Sequence, residues 1–410
     1  MRFITDLHIH SKYSRATSRD MTPESLWRWA QLKGISVIGT GDFTHPLWLH
    51  ELRDKLRPAG NGFFSLRESF RHERIPASCM ADVFFTLSAE ISCIYRKNEK
   101  TRKVHALIIA PDFSGAERIN SALSKKGNLA SDGRPILGLD AKGLLKIVLD
   151  ASPESMFVPA HAWTPHFSVF GSASGFDSLE ECFEELTPYI SAIETGLSSD
   201  PAMNWRLSLL DGITLISNSD AHSPAKIGRE ANIFETEISY PAMVNAIKTG
   251  KGFSGTIEFF PEEGKYHFDG HRACGVSLSP KESKEHNVLC PVCGKKLTQG
   301  VLHRVEELAD REEGFRPATA PGFHSFIPLQ EIVSETLGIG VMSKAVTKAY
   351  LGLIEKLGCE FGILMDIPVG EMEAAGSPMI ANAVGIMRAG NVNIVPGYDG
   401  KYGKVRIFGG

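Results

Sequence analysis

Seven short apolar runs recur along the first 258 residues, at 3–9, 35–40, 82–92, 103–110, 156–160, 190–193 and 213–216. Most are separated by helical stretches, and nearly all carry or end in a histidine or a carboxylate. Strands alternating with helices predict a parallel sheet, open or closed into a barrel. In (β/α) barrels the C-terminal strand ends carry the chemistry. Seven units predict a barrel smaller than the usual eight.

The first run illustrates the pattern. Phe3, Ile4, Leu7 and Ile9 read as a buried strand. Alternation then puts Asp6, His8 and His10 on one face. Acid, imidazole and imidazole in a row build a poor core but a good metal site, since neutral imidazole is a common metal ligand. Asp42, His45, Glu90, His105, His161, Asp220 and His222 sit on or near the ends of later runs and join the candidate ligand set. Arg15, Lys226 and Arg229 lie near the same ends and are candidates to hold phosphate oxygens. Two long connections interrupt the pattern. Residues 46–76 are expected to be partly helical, and 166–177, rich in Gly, Ser and Phe, reads as a mobile lid or substrate loop.

A chain of 410 residues accommodates two or three domains. The net charge of −4 gives no global support for nucleic-acid binding, so any such surface must be local. No apolar run is long enough to span a bilayer, and the N-terminus opens on a strand and not a signal peptide. A cytoplasmic protein with no membrane partner is the expectation. Seven cysteines with one tight Cys-x-x-Cys pair point to metal and not to disulfides in a reducing compartment.

That pair, Cys290 and Cys293, follows His271-x-x-Cys274. Two ligand pairs with two-residue spacers match a closed, structural zinc site. His267 and His303 are alternatives to His271 as the fourth ligand. Beyond it, helices are predicted at 301–313, 329–336, 342–357 and 378–387, with a loop at 319–324. The segment 391–408 reads as a hairpin turning near Asp399-Gly400. Tyr398, Lys401, Tyr402 and Lys404 crowd that turn, and such residues stack bases and bind phosphates.

The motifs Asp6-Leu7-His8-Ile9-His10, Gly41-Asp42-x-x-His45, Glu90, His105, His161 and Ser219-Asp220-Ala221-His222 resemble the polymerase-and-histidinol-phosphatase (PHP) family. The resemblance implies a distorted (β/α)7 barrel over 1–258 with a two- or three-metal phosphoesterase centre. It implies that His8, His10, Glu90 and Asp220 are catalytic and hold one divalent metal (Zn, Mn or Mg). Glu90, His105 and His161 would hold a second, and Asp42, His45 and His222 a third. Asp6, Glu194 and Asn218 would orient the ligand imidazoles. The family usually sets the Asp and His of its second motif side by side, whereas Phe43 and Thr44 intervene here.

The order of parts narrows the resemblance. A PHP barrel precedes 271–276 and 290–294 in a small zinc-binding domain (259–313). A mostly helical C-terminal region with a β-hairpin (314–410) follows and carries 321–329 and 396–404. This arrangement is similar to the endonuclease Q family. It implies damaged DNA as partner, incised 5′ of uracil, hypoxanthine or an abasic site, with other repair or replication proteins as further partners. A phosphomonoesterase of a small metabolite, or a nucleic-acid-binding protein with only structural metals, are the rival readings.

Overall fold

The computed structural model describes residues 1–409. Its framework is an eleven-stranded mixed sheet with helices packed around it. Arg2–Asp6 pairs in parallel with Val37–Gly39, which pairs in parallel with Phe84–Lys97. The helix between the first two, Pro23–Lys33, is set by local chemistry. Thr22 accepts from the Ser25 N–H at its start, Pro23 opens it, and Gly34 at φ 89° stops it.

The expected all-parallel order breaks at the next step. Phe84–Lys97 reverses through Asn98 and Glu99, both left-handed (φ 51° and 60°), into Lys100–Ala110. Two consecutive positive φ values make the tight turn of a hairpin. A two-residue connection can only return the chain antiparallel; a parallel return needs a crossover of a dozen or more residues. Lys100–Ala110 therefore runs antiparallel to Phe84–Lys97 and to Met156–Pro159.

Ala192–Glu194 and Thr214–Ile216 form a separate parallel pair. Backbone hydrogen bonds tie it in on both sides. The Ala162 N–H donates to the Glu194 carbonyl at 2.9 Å, and the His10 N–H to the Ala221 carbonyl at 3.0 Å. The seven apolar runs thus complete one hydrogen-bonded circuit. Ala231–Glu235 adds antiparallel to the outside of Arg2–Asp6, and Phe253–Glu258 adds to that.

The predicted loop at 319–324 is also corrected. Gly322–Ser325 is a strand paired in parallel with Phe253–Glu258. Gly255 permits this approach, because a Cβ there would lie 2.1 Å from the Gly322 carbonyl oxygen. The C-terminal helices Leu329–Leu337, Lys344–Leu357 and Pro378–Arg388 stand close to their predicted bounds. Val301–Leu308 is shorter than expected, since Asp310 and Arg311 turn their N–H groups to the Arg206 carbonyl. The larger of two apolar clusters runs from the sheet (Phe85, Ile91) and the helices packed on it (Leu26, Trp48) into these C-terminal helices (Ile332, Tyr350, Leu353).

A buried ion pair crosses the same seam. Lys33 Nζ lies 2.8 Å from Glu360, which also accepts from the Tyr350 hydroxyl at 2.9 Å.

Candidate metal centres

His8 and His10 follow directly from the first strand, fully buried, and converge with later strand ends as alternation requires. His8 Nε2 lies 3.5 Å from Glu90 Oε2 and 3.8 Å from Asp220 Oδ1. His10 Nε2 lies 3.3 Å and 2.9 Å from the same two atoms. On the other side of Glu90, Oε1 sits 2.6 Å from His105 Nδ1 and 3.1 Å from His161 Nε2. Two groups result, His8–His10–Glu90–Asp220 and Glu90–His105–His161, sharing Glu90.

The residues fit metal. His8 Nε2, His10 Nε2 and Asp220 Oδ1 are buried without a hydrogen-bond partner, so their lone pairs converge on a common point unused by the protein. Burial alone would depress the His8 and His10 pKa values. Glu194 and Glu90 outweigh it at His8, and Asp220, Asp42 and Glu90 outweigh it at His10, so both stand well above the usual imidazole value. Glu90 is held well below the ordinary carboxylate range, its burial overcome by His105, His8 and Arg134. Both directions express one fact: the buried carboxylates demand positive charge, which neutral imidazoles with a divalent cation satisfy. Burial pushes His105 down to about 4, leaving its ring neutral and able to ligate.

Backbone strain marks the same residues. Asp42, His161 and Asp220 occupy left-handed φ values of 51°, 29° and 47°. Such conformations cost about 1–3 kcal/mol each and concentrate where a side chain must be aimed.

The supporting residues are in place. Glu194 accepts from His8 Nδ1 at 3.0 Å, from the His161 N–H at 2.9 Å and from Asn218 Nδ2 at 2.9 Å. Asn218 in turn accepts from the Leu7 N–H at 2.7 Å. Asp6 clamps the Asp220 turn through the Ser219 and Gly228 N–H groups and touches no ligand ring.

The third expected set is not brought together. Asp42 accepts from Ser11 and Ser14 and orients His10 through Nδ1 at 3.1 Å. His45 stacks on Tyr13, with ring centroids 4.4 Å apart. The His222 ring lies against His10, and its Nδ1 is 2.8 Å from the Asp220 carbonyl. Phe43 enters the core, while the Asp42 carboxylate is spent on serine donors.

Several expected phosphate contacts have other partners. Arg229 donates to the Ser219 and Asp220 carbonyls, holding the ligand turn, and Lys226 pairs with Glu331 at 2.7 Å. Arg15 extends into solvent, its nearest acid being Asp132 at 3.5 Å. The 166–177 segment is packed down and not lid-like: Phe170 and Phe176 are buried, and Arg304 donates to both their carbonyls at 3.2 Å. Sequence reasoning missed Arg134, whose Nη1 reaches Glu90 Oε2 at 3.0 Å from an irregular segment without periodicity. It also missed Thr164, which lies 3.1 Å from His161 Nδ1.

A second, separate cluster forms in the 259–313 segment. His271, Cys274, Cys290 and Cys293 bring one ligand atom each to within 4.8 Å of one another. Asp269–His271 and Val276–Leu278 pair as a short hairpin, and Gly294 at φ 70° closes the Cys290–Cys293 knuckle. Desolvation opposes ionisation of Cys290, but the Cys293 and Val292 N–H groups overcome it and pull the thiol down to about 6. A thiolate is the ligating form. Of the alternatives, His303 is committed to Asp269 at 2.5 Å, and His267 is buried against Phe268.

The C-terminal hairpin pairs Asn393–Val395 with Lys404–Arg406. Asp399 at its turn accepts from the Arg272 N–H at 2.6 Å and from Thr298 at 2.7 Å, locking the turn onto the cysteine-bearing segment. Tyr398 is buried in that contact, over Gly270, where a Cβ would come 2.4 Å from its ring. It is therefore a packing residue and not a base-stacking one. Tyr402 is 65% exposed, and Lys401 and Lys404 are exposed.

Comparison with known proteins agrees with this architecture. A family model described as the MJ0043 C-terminal domain matches residues 328–391. The chain is 33% identical over 253 residues to protein MJ0043 of Methanocaldococcus jannaschii, an alignment covering 60% of this chain and 31% of that protein. The chain thus spans about a third of that relative's length. The crystal structure of the lesion-specific endonuclease PfuEndoQ from Pyrococcus furiosus superposes with a TM-score of 0.85 at 32% identity. That match covers 99% of this chain and 95% of that one. An Endonuclease Q complex with a 27-mer duplex bearing an abasic lesion at its active site superposes at 0.83 and 31%, covering 100% and 97%. With identity above 30% along nearly the full length of both structures, this chain belongs to the endonuclease Q family.

Proposed function

We propose that the protein is a metal-dependent DNA repair endonuclease that cuts the phosphodiester 5′ of a deaminated base (uracil or hypoxanthine) or an abasic site. The observation that carries the reading is the pair of buried ligand groups sharing Glu90 in a chain similar throughout to lesion-specific endonucleases. In this reading the seven-run circuit is a PHP-type (β/α)7 barrel, the His271–Cys293 cluster holds one structural zinc, and the C-terminal region helps hold DNA.

His8, His10, Glu90 and Asp220 would hold one divalent ion, and Glu90, His105 and His161 the other. Such ions lower the pKa of a bound water and screen the attacking and leaving oxygens. The chain's own contribution is orientation. Glu194 fixes the His8 ring through Nδ1, Asp42 fixes His10 the same way, and Thr164 fixes His161. Rigid support of this kind holds the ligand atoms in register before substrate arrives.

The alternative of a small-metabolite phosphomonoesterase leaves the hairpin and the four-ligand cluster without a role. Damaged DNA is the proposed partner, with other repair proteins secondary to it and the cytoplasm as the proposed location. The test is incision of duplexes carrying uracil, hypoxanthine or an abasic site, beside an undamaged duplex and a phosphomonoester. Lesion-dependent nicking abolished by Asp220→Ala, in a variant with wild-type melting, is the expected result. Hydrolysis of the monoester alone would overturn the reading.

A further inference from the structure

A cationic side chain beside the two ligand groups would add to the charge neutralisation that metals supply at a scissile phosphate; of the three basic residues expected there from sequence, Lys226 and Arg229 pair elsewhere and Arg15 extends into solvent. We infer that Arg134 is that residue: a catalytic guanidinium held beside Glu90 that binds the scissile phosphate when DNA is engaged. This inference rests on the endonuclease reading of the same site and adds a residue to it.

Four observations support the assignment. Among the described residues, Arg134 is the one Lys or Arg side chain within 4 Å of a carboxylate in either ligand group, Nη1 to Glu90 Oε2 being 3.0 Å. Its side chain is 30% exposed although Glu90 is fully buried, so it reaches from solvent to the buried carboxylate. Its Nε and Nη2 donate to nothing among the described residues, leaving most of a five-donor fork uncommitted beside the ligands. Finally, its position is built.

The Gly133 N–H donates to the Tyr13 carbonyl at 3.0 Å, and the Ser92 N–H to the Pro135 carbonyl at 3.1 Å, two residues from Glu90. Gly133 lies so close over Asp42 that a Cβ would come 2.2 Å from Oδ2. The residues flanking Arg134 are therefore pinned to the first ligand loop on one side and to the Glu90 strand on the other.

Charge explains how the guanidinium could turn from Glu90 to a phosphate. Glu90 is the shared member of both groups, and divalent ions held by those groups would supply the positive charge that Arg134 otherwise supplies to it. A guanidinium released there faces an incoming dianionic transition state, and its planar fork matches two phosphate oxygens. Lysine at this position would keep the charge and lose the fork.

The experiment compares wild type with Arg134→Lys and Arg134→Ala on a lesion duplex. Barrel metal content, affinity against salt concentration, and single-turnover incision are measured in parallel. Arg134→Ala should keep its metals, lower the slope of log K against log salt by about one unit, and slow incision on the order of 10²-fold. Guanidinium ion added at millimolar concentration should restore part of the rate, and Arg134→Lys should fall between the two.

Loss of barrel metal in Arg134→Ala would make the residue a support for Glu90 and overturn the assignment. An unchanged salt slope and rate would do the same. A wild type that nicks none of the lesion duplexes would defeat the proposed function, while the salt slopes would still decide whether Arg134 meets a phosphate.

Discussion

Glu194→Gln separates metal-centre orientation from simple burial. The Glu194 carboxylate is fully buried and meets three donors with two oxygens. Oε1 takes Asn218 Nδ2 at 2.9 Å, Oε2 takes the His161 N–H at 2.9 Å, and both lie within 3.1 Å of His8 Nδ1. Glutamine is the same size but has one acceptor oxygen. If its NH2 replaces Oε2, it confronts the His161 backbone N–H. If it replaces Oε1, it confronts Asn218, which cannot flip because its own oxygen accepts from the Leu7 N–H and from Asn232.

In either orientation one buried donor loses its partner, which costs about 1–3 kcal/mol of stability. The His8 ring loses its charge-assisted bond as well. An amide N–H facing Nδ1 would move the ring proton to Nε2, the atom aimed at Glu90 and Asp220. Supporting groups of this kind are worth about 10–100-fold in metal affinity, or about 1.4–2.7 kcal/mol. Chelator competition with metal analysis, beside thermal melting, measures both effects. A metal affinity unchanged from wild type, in a variant whose melting temperature has fallen, would refute the claim that Glu194 sets the His8 tautomer.

Three further outcomes are expected. Cys290→Ser should release the metal of the His271–Cys293 cluster and loosen 260–310 while the barrel retains its metals; metal content per chain decides it. Tyr398→Ala should destabilise by about 3–5 kcal/mol as a buried aromatic truncation, seen in denaturant melts, whereas Tyr402→Ala should leave melting unchanged and weaken DNA binding by about 1–3 kcal/mol if its ring stacks on a base. Lys401→Ala and Lys404→Ala should each flatten the salt dependence of binding instead. Burial raises the Glu258 pKa to about 8, with Asp200 adding to the rise, so the folded form holds a proton that the unfolded chain releases near 4.5. Stability should therefore fall between about pH 4.5 and 8, and Glu258→Gln should raise the melting temperature more at pH 8 than at pH 5; equal shifts at both would rule this out.

The chemistry of the site was legible in the chain because it is written in local patterns. Alternation along one strand puts His8 beside His10, and two-residue spacers pair Cys290 with Cys293 and His271 with Cys274. Caps such as Thr22 and Gly34 declare helix ends within a few residues. What the linear chain does not encode locally was decided by tertiary contact.

Whether Lys100–Ala110 runs up or down turned on two left-handed residues, Asn98 and Glu99, that carry no apolar signal. The short run at Gly322–Ser325 became a strand because Gly255 leaves room for its backbone. Asp42, His45 and His222 share residue types with the ligands, but their side chains are held by serines, Tyr13 and a backbone carbonyl, so type and spacing alone could not predict their separation. Arg134 lies 44 residues from Glu90 in an aperiodic stretch. Local patterns reach neighbours a few residues away, but a guanidinium meeting a distant carboxylate depends on where the whole chain has folded.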